Sequence, residues 1–434
     1  MLTVFTNESS RTCDGQSRRN FIQAGALGAG GLTLPHLLAN RTTAANSQRS
    51  SEDTSVVWLW LNGGPTHIET FDPKMTAPSE FRSVTGEVKT VLPGVTLGGN
   101  FSRMAKVADK MAFVRSFSVP TSSHNRGAYW VNTGYSEKSN RPGLGSIVSR
   151  LRGPNHPVSG MPTYVRNGQI GFNTAVPLIS GPAWLGKAYA PFTPGGQARK
   201  NMDLSMKVAR LDDRRTLLRS LDRLKRDVDA SGMMKGIDGL NQQALNLVLG
   251  KAPQAFDLAK EDSKVVAKYG GGLGASMLTA RRLCEAGCGF VAVSLQGWDM
   301  HGNVKGGMNR RGTEVDRAVS AFVEDIYQRG LDEKIMLVIS GEFGRTPRIN
   351  KRAGRDHWGR LSTLAVSGGG LKVGQTVGES STKAEVPKSS LVTPQDLMAT
   401  VFHVLGIPPE TSFRDQAGRP TPMLSDGKPI SALV

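Results

Sequence analysis

The chain has 434 residues, 38% of them hydrophobic, with 51 Gly, 23 Pro and a formal charge of +18. This length allows one large α/β domain or two smaller ones, and the Gly and Pro content predicts many loops. Beyond a leader, no stretch is long and apolar enough to cross a bilayer, which excludes a membrane-spanning mature chain; the basic charge fits a surface facing polyanions without defining a site.

The leader comes first. Ser17-Arg18-Arg19-Asn20-Phe21-Ile22 precedes a weakly hydrophobic Gly/Ala-rich stretch and then small residues suited to cleavage. This is a twin-arginine signal pattern. Glycines, a Pro and a His dilute the stretch from Phe21 to Ala39, so it predicts no stable membrane span. Residues 1–46 are therefore expected to be a signal peptide and short linker, and 47–434 the mature domain. The twin-arginine export machinery is an expected partner, and the periplasm or the exterior the expected location.

Val56 to Leu61 is a continuous apolar run, predicted to be the first buried strand. It ends in Asn62-Gly63-Gly64-Pro65-Thr66-His67, whose glycines let backbone approach a ligand. Asn62, Thr66 and His67 add an amide, a hydroxyl and an imidazole. Phe101 to Asp109 has helical spacing, and Met111 to Val114 reads as a short buried strand. The Ser/Thr/His/Asn-rich loop from Arg115 to Arg126 opens a helix ending at Gly134, with Ser123 or Asn125 as N-cap. Backbone N–H groups at such a helix start suit an anion. Residues 141–200 are predicted to form loops and short strands over the sheet, within an elaboration spanning 141–260. Residues 203–230 read as an amphipathic helix of mixed charge, and Asn241 to Leu249 and Gly272 to Ala286 as two more.

Cys284 and Cys288 lack the other ligands of a zinc motif and read as buried reduced thiols, with a disulfide open to an exported protein. The strand Phe290–Leu295 runs into Asp299 and His301, two apart on extended backbone and so on one side. Asp with His is a common pairing for a divalent cation. A helix from Val315 to Tyr327 leads to the strand Ile335–Ile339, which predicts a parallel pair with a right-handed crossover. Glu342, Arg345, Thr346, Asp356 and His357 follow that strand. Leu361–Val366 is a further strand, and Thr393–Leu405 a capped helix whose His403 sits in an apolar setting and reads as structural.

Loops leaving one end of a parallel sheet converge. The polar groups at Asn62–His67, Ser122–Arg126, Asp299/His301 and Glu342–His357 therefore predict one pocket lined by carboxylates and imidazoles. A metal there would polarise a phosphoryl or sulfuryl oxygen, and Arg345 would stabilise charge growing in the transition state.

The stretches LNGGPTHIETFDPK, RSFSVPTSSHNRGAYWVNTGY, GFVAVSLQGWDMHGN, GEFGRTPRIN and GRDHWGR resemble the bacterial family called domain of unknown function 1501, of the alkaline-phosphatase-like and sulfatase superfamily. The resemblance implies an α/β fold of three layers, a largely parallel central sheet with helices on both faces and metals at the strand ends. It implies that Asp299 and His301 are a ligand pair, that Glu342 stands where relatives place an Asp-His pair, and that Asp356 and His357 are ligands or substrate contacts. His124 falls where sulfatases carry the Cys or Ser that becomes formylglycine. Three departures stand out: Asn62 replaces an Asp ligand, Phe343 replaces a His, and no Cys or Ser occupies the His124 position.

Together these readings lead to an exported metal-dependent hydrolase of sulfate or phosphate esters, acting on an anionic small molecule or polysaccharide. Asn62, Asp299, His301, Glu342, Asp356 and His357 would hold one or two divalent ions (Zn, Ca or Mn). Arg345 would bind the anionic group, Thr66 and His67 would line the site, and His124 or a water would attack. The alternative is a protein of the same fold that binds a polyanion or a partner protein without turnover. No specific nucleic acid is expected.

Overall fold

The computed structural model describes residues 54–168, 181–194 and 252–434, all within the unit Glu52–Val434. The twin-arginine stretch Ser17–Ile22 and the helices read at 203–230 and Asn241–Leu249 lie outside the described residues.

Seven strands form the central sheet: β1 (Ser55–Asn62), β2 (Ala112–Val114), β3 (Tyr164–Gly168), β4 (Phe290–Gln296), β5 (Ile335–Ser340), β6 (Leu364–Gly368) and β7 (Gln375–Val377). Their order is β7-β2-β6-β5-β1-β4-β3. β1 lies between β4 and β5 and is parallel to both. β3 is parallel to β4 and β7 to β2, whereas β6 runs antiparallel to β5 and β2. The sheet is thus largely parallel.

All eight residues of β1 are buried, which explains its unbroken apolar run. Alternate side chains serve opposite faces. Val57, Leu59 and Leu61 pack with Met277 and Leu278 of α3 (Leu273–Glu285) and Val319 and Phe322 of α4 (Val304–Gln328). Val56, Trp58 and Trp60 pack with Val131 of α1 (His124–Thr133), Ile147 of α2 (Leu144–Arg152) and Phe402 of α5 (Pro394–Leu405). Helices therefore cover both faces, giving the three expected layers. Each Val, Leu or Ile buried this way contributes roughly 1.5–3 kcal/mol.

Three expectations change. Tyr164–Gly168 is an edge strand of the sheet, not a covering loop; Arg166 and Asn167 interrupt the apolar pattern that would have marked it. Helix α4 begins at Val304, well before Val315, because Asn303 caps it: Asn303 Oδ1 accepts from the Gly306 N–H at 3.1 Å. The Gly- and charge-rich first half of α4 had hidden its start. His403 is exposed, since its apolar neighbours on α5 turn inward and the helical period turns His403 outward. Cys284, on α3, and Cys288, just before β4, are buried and free, so no disulfide joins them. No helix among the described residues is long and apolar enough to cross a membrane.

Candidate metal centre

The parallel strands β1, β4 and β5 end side by side, with Asn62 level with Gln296 and Trp60 level with Ser340. The loops that follow are forced together there. At Gly63, φ is 121°, and a Cβ would lie 2.4 Å from the Asp299 backbone nitrogen, so only glycine lets the turn after β1 press against the Asp299 loop. Helix α1 rests directly on the Glu342 backbone: a Cβ at Gly127 would lie 2.4 Å from the Glu342 carbonyl oxygen. Gly344-Arg345 pairs antiparallel with His357-Trp358, which closes the intervening loop and sets Arg345 opposite His357.

These contacts gather three imidazoles around one carboxylate. His301 Nε2 lies 3.0 Å and His357 Nε2 3.2 Å from Asp299 Oδ1. His124 Nε2 lies 3.6 Å from Asp299 Oδ2. The two nitrogens His301 Nε2 and His357 Nε2 are 2.9 Å apart. Outer contacts hold each ring. His124 Nδ1 is 2.7 Å from Glu342 Oε1, His301 Nδ1 is 2.7 Å from Asp356 Oδ1, and His357 Nδ1 is 3.0 Å from the Ser122 carbonyl. The Phe343 ring lies beneath His124 and His357, at 4.9 and 4.7 Å between centroids, as an apolar floor.

The other residues read from the sequence fall as follows. Asn62 turns its amide to Gln296 Oε1 at 2.6 Å, away from the imidazoles. Thr66 caps the short helix His67–Thr70, its Oγ1 accepting from the Glu69 N–H at 3.4 Å. His67 is buried and donates from Nε2 to the Ala384 carbonyl at 3.0 Å. None of these three side chains joins the cluster, because each is held by a local or cross-sheet partner.

Arg345 joins the cluster but is wholly buried. Its guanidinium donates to the carbonyls of Gly63, Gly64 and Arg355 and to Asp299 Oδ1, with His301 Nε2 at 3.5 Å. These five contacts match its five N–H groups, so Arg345 fixes the loop ends and Asp299 and does not offer a free edge to an anion. Asp356 and Glu342 grip histidines through their Nδ1 atoms and stand outside the ring of Nε2 atoms. Sequence reasoning missed Asn350, which donates to both Asp356 oxygens at 3.2 Å and to the His301 carbonyl at 3.0 Å. It also missed Arg355 and Glu69, a buried pair behind the Asp356-His357 loop, although Arg355 directly precedes Asp356. Nothing in the local sequence marks Asn350.

The electrostatics favour a cation. Burial would raise the Asp299 carboxyl, but hydrogen bonds from His124, His357 and Arg345 outweigh it and hold the group far below the usual carboxylate range. Burial would lower His124, yet Asp299 and Glu342 outweigh it and push the ring up to about 9. The His301 ring, then Asn350, keeps the Asp356 carboxyl low. Asp299 and Asp356 thus stay ionised because imidazoles, Arg345 and Asn350 donate to them, and an ionised carboxylate set among imidazoles is a donor combination for a divalent ion. The donor atoms of His124, Asp299 and His357 all lie within 4.8 Å of one another. Ligands about 2.0–2.2 Å from one ion are separated from each other by roughly 3–3.5 Å; the His301 and His357 distances to Asp299, 3.0 and 3.2 Å, match that spacing, and His124 stands slightly wider at 3.6 Å.

The family described as "Protein of unknown function (DUF1501)" matches residues 53–434. The chain belongs to that family. The match thus takes in every DUF1501 segment that carries the cluster. No curated protein matches the chain. Among solved structures, the chain is similar to the PsFucS1 sulfatase from Pseudoalteromonas sp., with 11% identity, TM-score 0.38, and 86% of this chain and 70% of that one covered. It is similar to the phosphonate monoester hydrolase SpPMH from Silicibacter pomeroyi, with 12% identity, TM-score 0.34 and coverage of 84% and 76%. It is also similar to a mutant of TAB5 alkaline phosphatase with Mg bound in the M3 site, with 10% identity, TM-score 0.36 and coverage of 81% and 97%.

Proposed function

We propose that this chain is an exported metal-dependent hydrolase of sulfate or phosphate esters. The observation that carries the reading is the convergence of imidazole Nε2 atoms on Asp299 at 3.0–3.6 Å, at the open end of a parallel sheet. Asp299, His301 and His357 would hold the ion. When bound, the ion supplies Lewis-acid polarisation of the ester oxygen. An imidazole-rich set suits Zn²⁺ or Mn²⁺, whereas Ca²⁺ takes oxygen ligands. Calcium is therefore left out of the proposal.

Substrate has access, since the Asp299 side chain is 47% exposed. With Arg345 occupied, cations at the mouth take over the anion-holding role. Arg352, 70% exposed, stands 4.0 Å from Asp356, and the Arg360 guanidinium lies 5.8 Å from the Trp358 ring centroid, beside His357. Buried Phe343 excludes water from beneath the imidazoles. Export rests on the Ser17–Ile22 pattern.

The test is metal analysis of protein purified without chelators, together with assays on aryl sulfates and phosphomonoesters. Bound metal and ester hydrolysis are expected, and Asp299→Ala and His357→Ala should each lower metal content. No metal and no turnover with added Zn²⁺ or Mn²⁺ would sink the hydrolase. Metal retained in both variants would show that the centre has been drawn wrongly.

A further inference from the structure

We infer that His124 is a metal ligand held in its ligating tautomer by Glu342, and not the nucleophile of the reaction. The inference rests on the metal-dependent reading above and concerns the roles of two of this chain's own residues.

Each imidazole of the cluster turns Nδ1 toward an atom that can only accept. For His124 that atom is Glu342 Oε1 at 2.7 Å, for His301 it is Asp356 Oδ1 at 2.7 Å, and for His357 it is the Ser122 carbonyl at 3.0 Å. An ionised carboxylate and a carbonyl have no proton to give, so in all three rings Nδ1 carries the hydrogen and donates it. Without an ion, the Nε2 protons of His124 and His357 bond Asp299, and an ion that displaced those protons would meet the Nε2 lone pairs. All three Nε2 atoms face Asp299, at 3.6, 3.0 and 3.2 Å for His124, His301 and His357. Arg345, on Asp299 Oδ1 and 3.5 Å from His301 Nε2, already offsets part of the carboxylate charge, and a bound cation would take the place of the imidazole protons. Outer acceptors on Nδ1 with lone pairs converging from Nε2 are the pattern that orients metal-bound histidines, and His124 repeats it in the same form as the other two.

A nucleophilic imidazole needs an open approach along its lone pair. His124 Nε2 faces the Asp299 carboxylate instead, and the ring is packed against Phe343 at 4.9 Å and His357 at 4.4 Å between centroids. Glu342 is dedicated to this ring. It is 1% exposed, its Oε1 is shared between His124 Nδ1 and the Gly63 N–H at 2.9 Å, and its Oε2 has no hydrogen-bond partner among the described residues. Among the described residues His124 supplies its side-chain hydrogen bond. Glu342 is therefore a positioning residue that acts through His124, which joins Asp299 and His357 in one group of donor atoms.

The experiment is a titration of metal-stripped protein with Co²⁺, read by its visible absorption, and with Zn²⁺ against a competing chelator, with no ester present. His124→Ala is expected to bind Zn²⁺ at least about 100-fold more weakly and to lose the wild-type Co²⁺ spectrum, with added imidazole restoring it. Glu342→Leu should weaken Zn²⁺ binding by about 10–100-fold, whereas Glu342→Gln, which keeps an acceptor for Nδ1, should retain the spectrum with a smaller loss. Far-ultraviolet circular dichroism of the metal-free variants checks that they are folded. A folded His124→Ala protein with wild-type affinity and spectrum overturns the inference. If His124→Ala does not fold, wild-type affinity in both Glu342 variants overturns it. Wild-type protein that takes up neither ion overturns it too, whereas metal uptake without ester hydrolysis removes only the hydrolase reading.

Discussion

Arg345 donates from Nη2 to Asp299 Oδ1 at 2.5 Å while its own side chain is wholly buried beneath the loop ends. A guanidinium in this position is a strut. Arg345→Lys supplies one ammonium where a planar fork met three carbonyls and a carboxylate, leaving buried acceptors unpaired. The expected loss of stability is about 1–3 kcal/mol, measured by denaturant unfolding, together with reduced metal content. A variant with full stability and metal and a raised KM alone would mean that Arg345 touches substrate.

Behind the cluster, Arg355 Nη2 meets Glu69 Oε1 at 3.0 Å with both side chains fully buried. Glu69 is further satisfied by Ser83 Oγ at 2.5 Å and the Val84 N–H at 3.1 Å. Because Arg355 precedes Asp356 and His357, this pair anchors the loop that carries both. Glu69→Ala leaves a buried guanidinium uncompensated and should cost about 3–5 kcal/mol. Chemical denaturation measures the loss; a cost below about 1 kcal/mol would show the pair to be screened, as exposed pairs are.

His67 gives a pH prediction of definite sign. Burial lowers its pKa from 6.5 to about 4, against the Ala384 carbonyl, which raises it. Its Nδ1 has no hydrogen-bond partner among the described residues, so a proton there is unwelcome in the folded state. The unfolded chain binds that proton first as pH falls below 6.5. Stability from His67 is therefore fully present above about 6.5 and declines down to about 4, by roughly 3 kcal/mol in all. Unfolding free energies across this window should fall less steeply in His67→Gln than in wild type. Equal slopes would show that His67 titrates normally.

Cys284 and Cys288, two of the three cysteines, should be inert in the native protein. Burial pushes the Cys288 thiol up to about 12 and the Cys284 thiol well above its usual range. Both groups stay protonated near neutral pH, and a buried thiol is a poor nucleophile. A thiol-reactive chromogen should label neither residue until denaturant is added, and then label both. Rapid labelling of Cys284 or Cys288 in the folded protein would contradict their burial.

The strands that form the middle of the sheet were legible because they are buried on both faces. Val56–Leu61 and Ile335–Ile339 are buried throughout and carry no polar residue, so their apolar runs stand out, and Phe290–Leu295 stays apolar except at Ser294. Tyr164–Gly168 was not legible: an edge strand has one neighbour, and polar residues at Arg166 and Asn167 erase the pattern. The site divides in a similar way. Asp299, His301, Glu342, Asp356 and His357 follow buried strands at the end where loops meet, a rule readable from order along the chain. That rule also drew in Asn62, Thr66 and His67, which leave β1 at the same end but turn to other partners.

What the amino-acid order determined by itself was the inventory: which strands are buried, which loops leave them together, and which titratable side chains those loops carry. Local hydrophobic periodicity and turn chemistry suffice for that. The division of labour among those side chains was decided only by the tertiary structure. Whether a carboxylate faces an ion or holds a histidine depends on contacts between residues hundreds of positions apart, as with His124 and Glu342, separated by 218 in sequence. Such contacts follow from how three loops pack over the strand ends, and a short-range pattern carries no record of that packing.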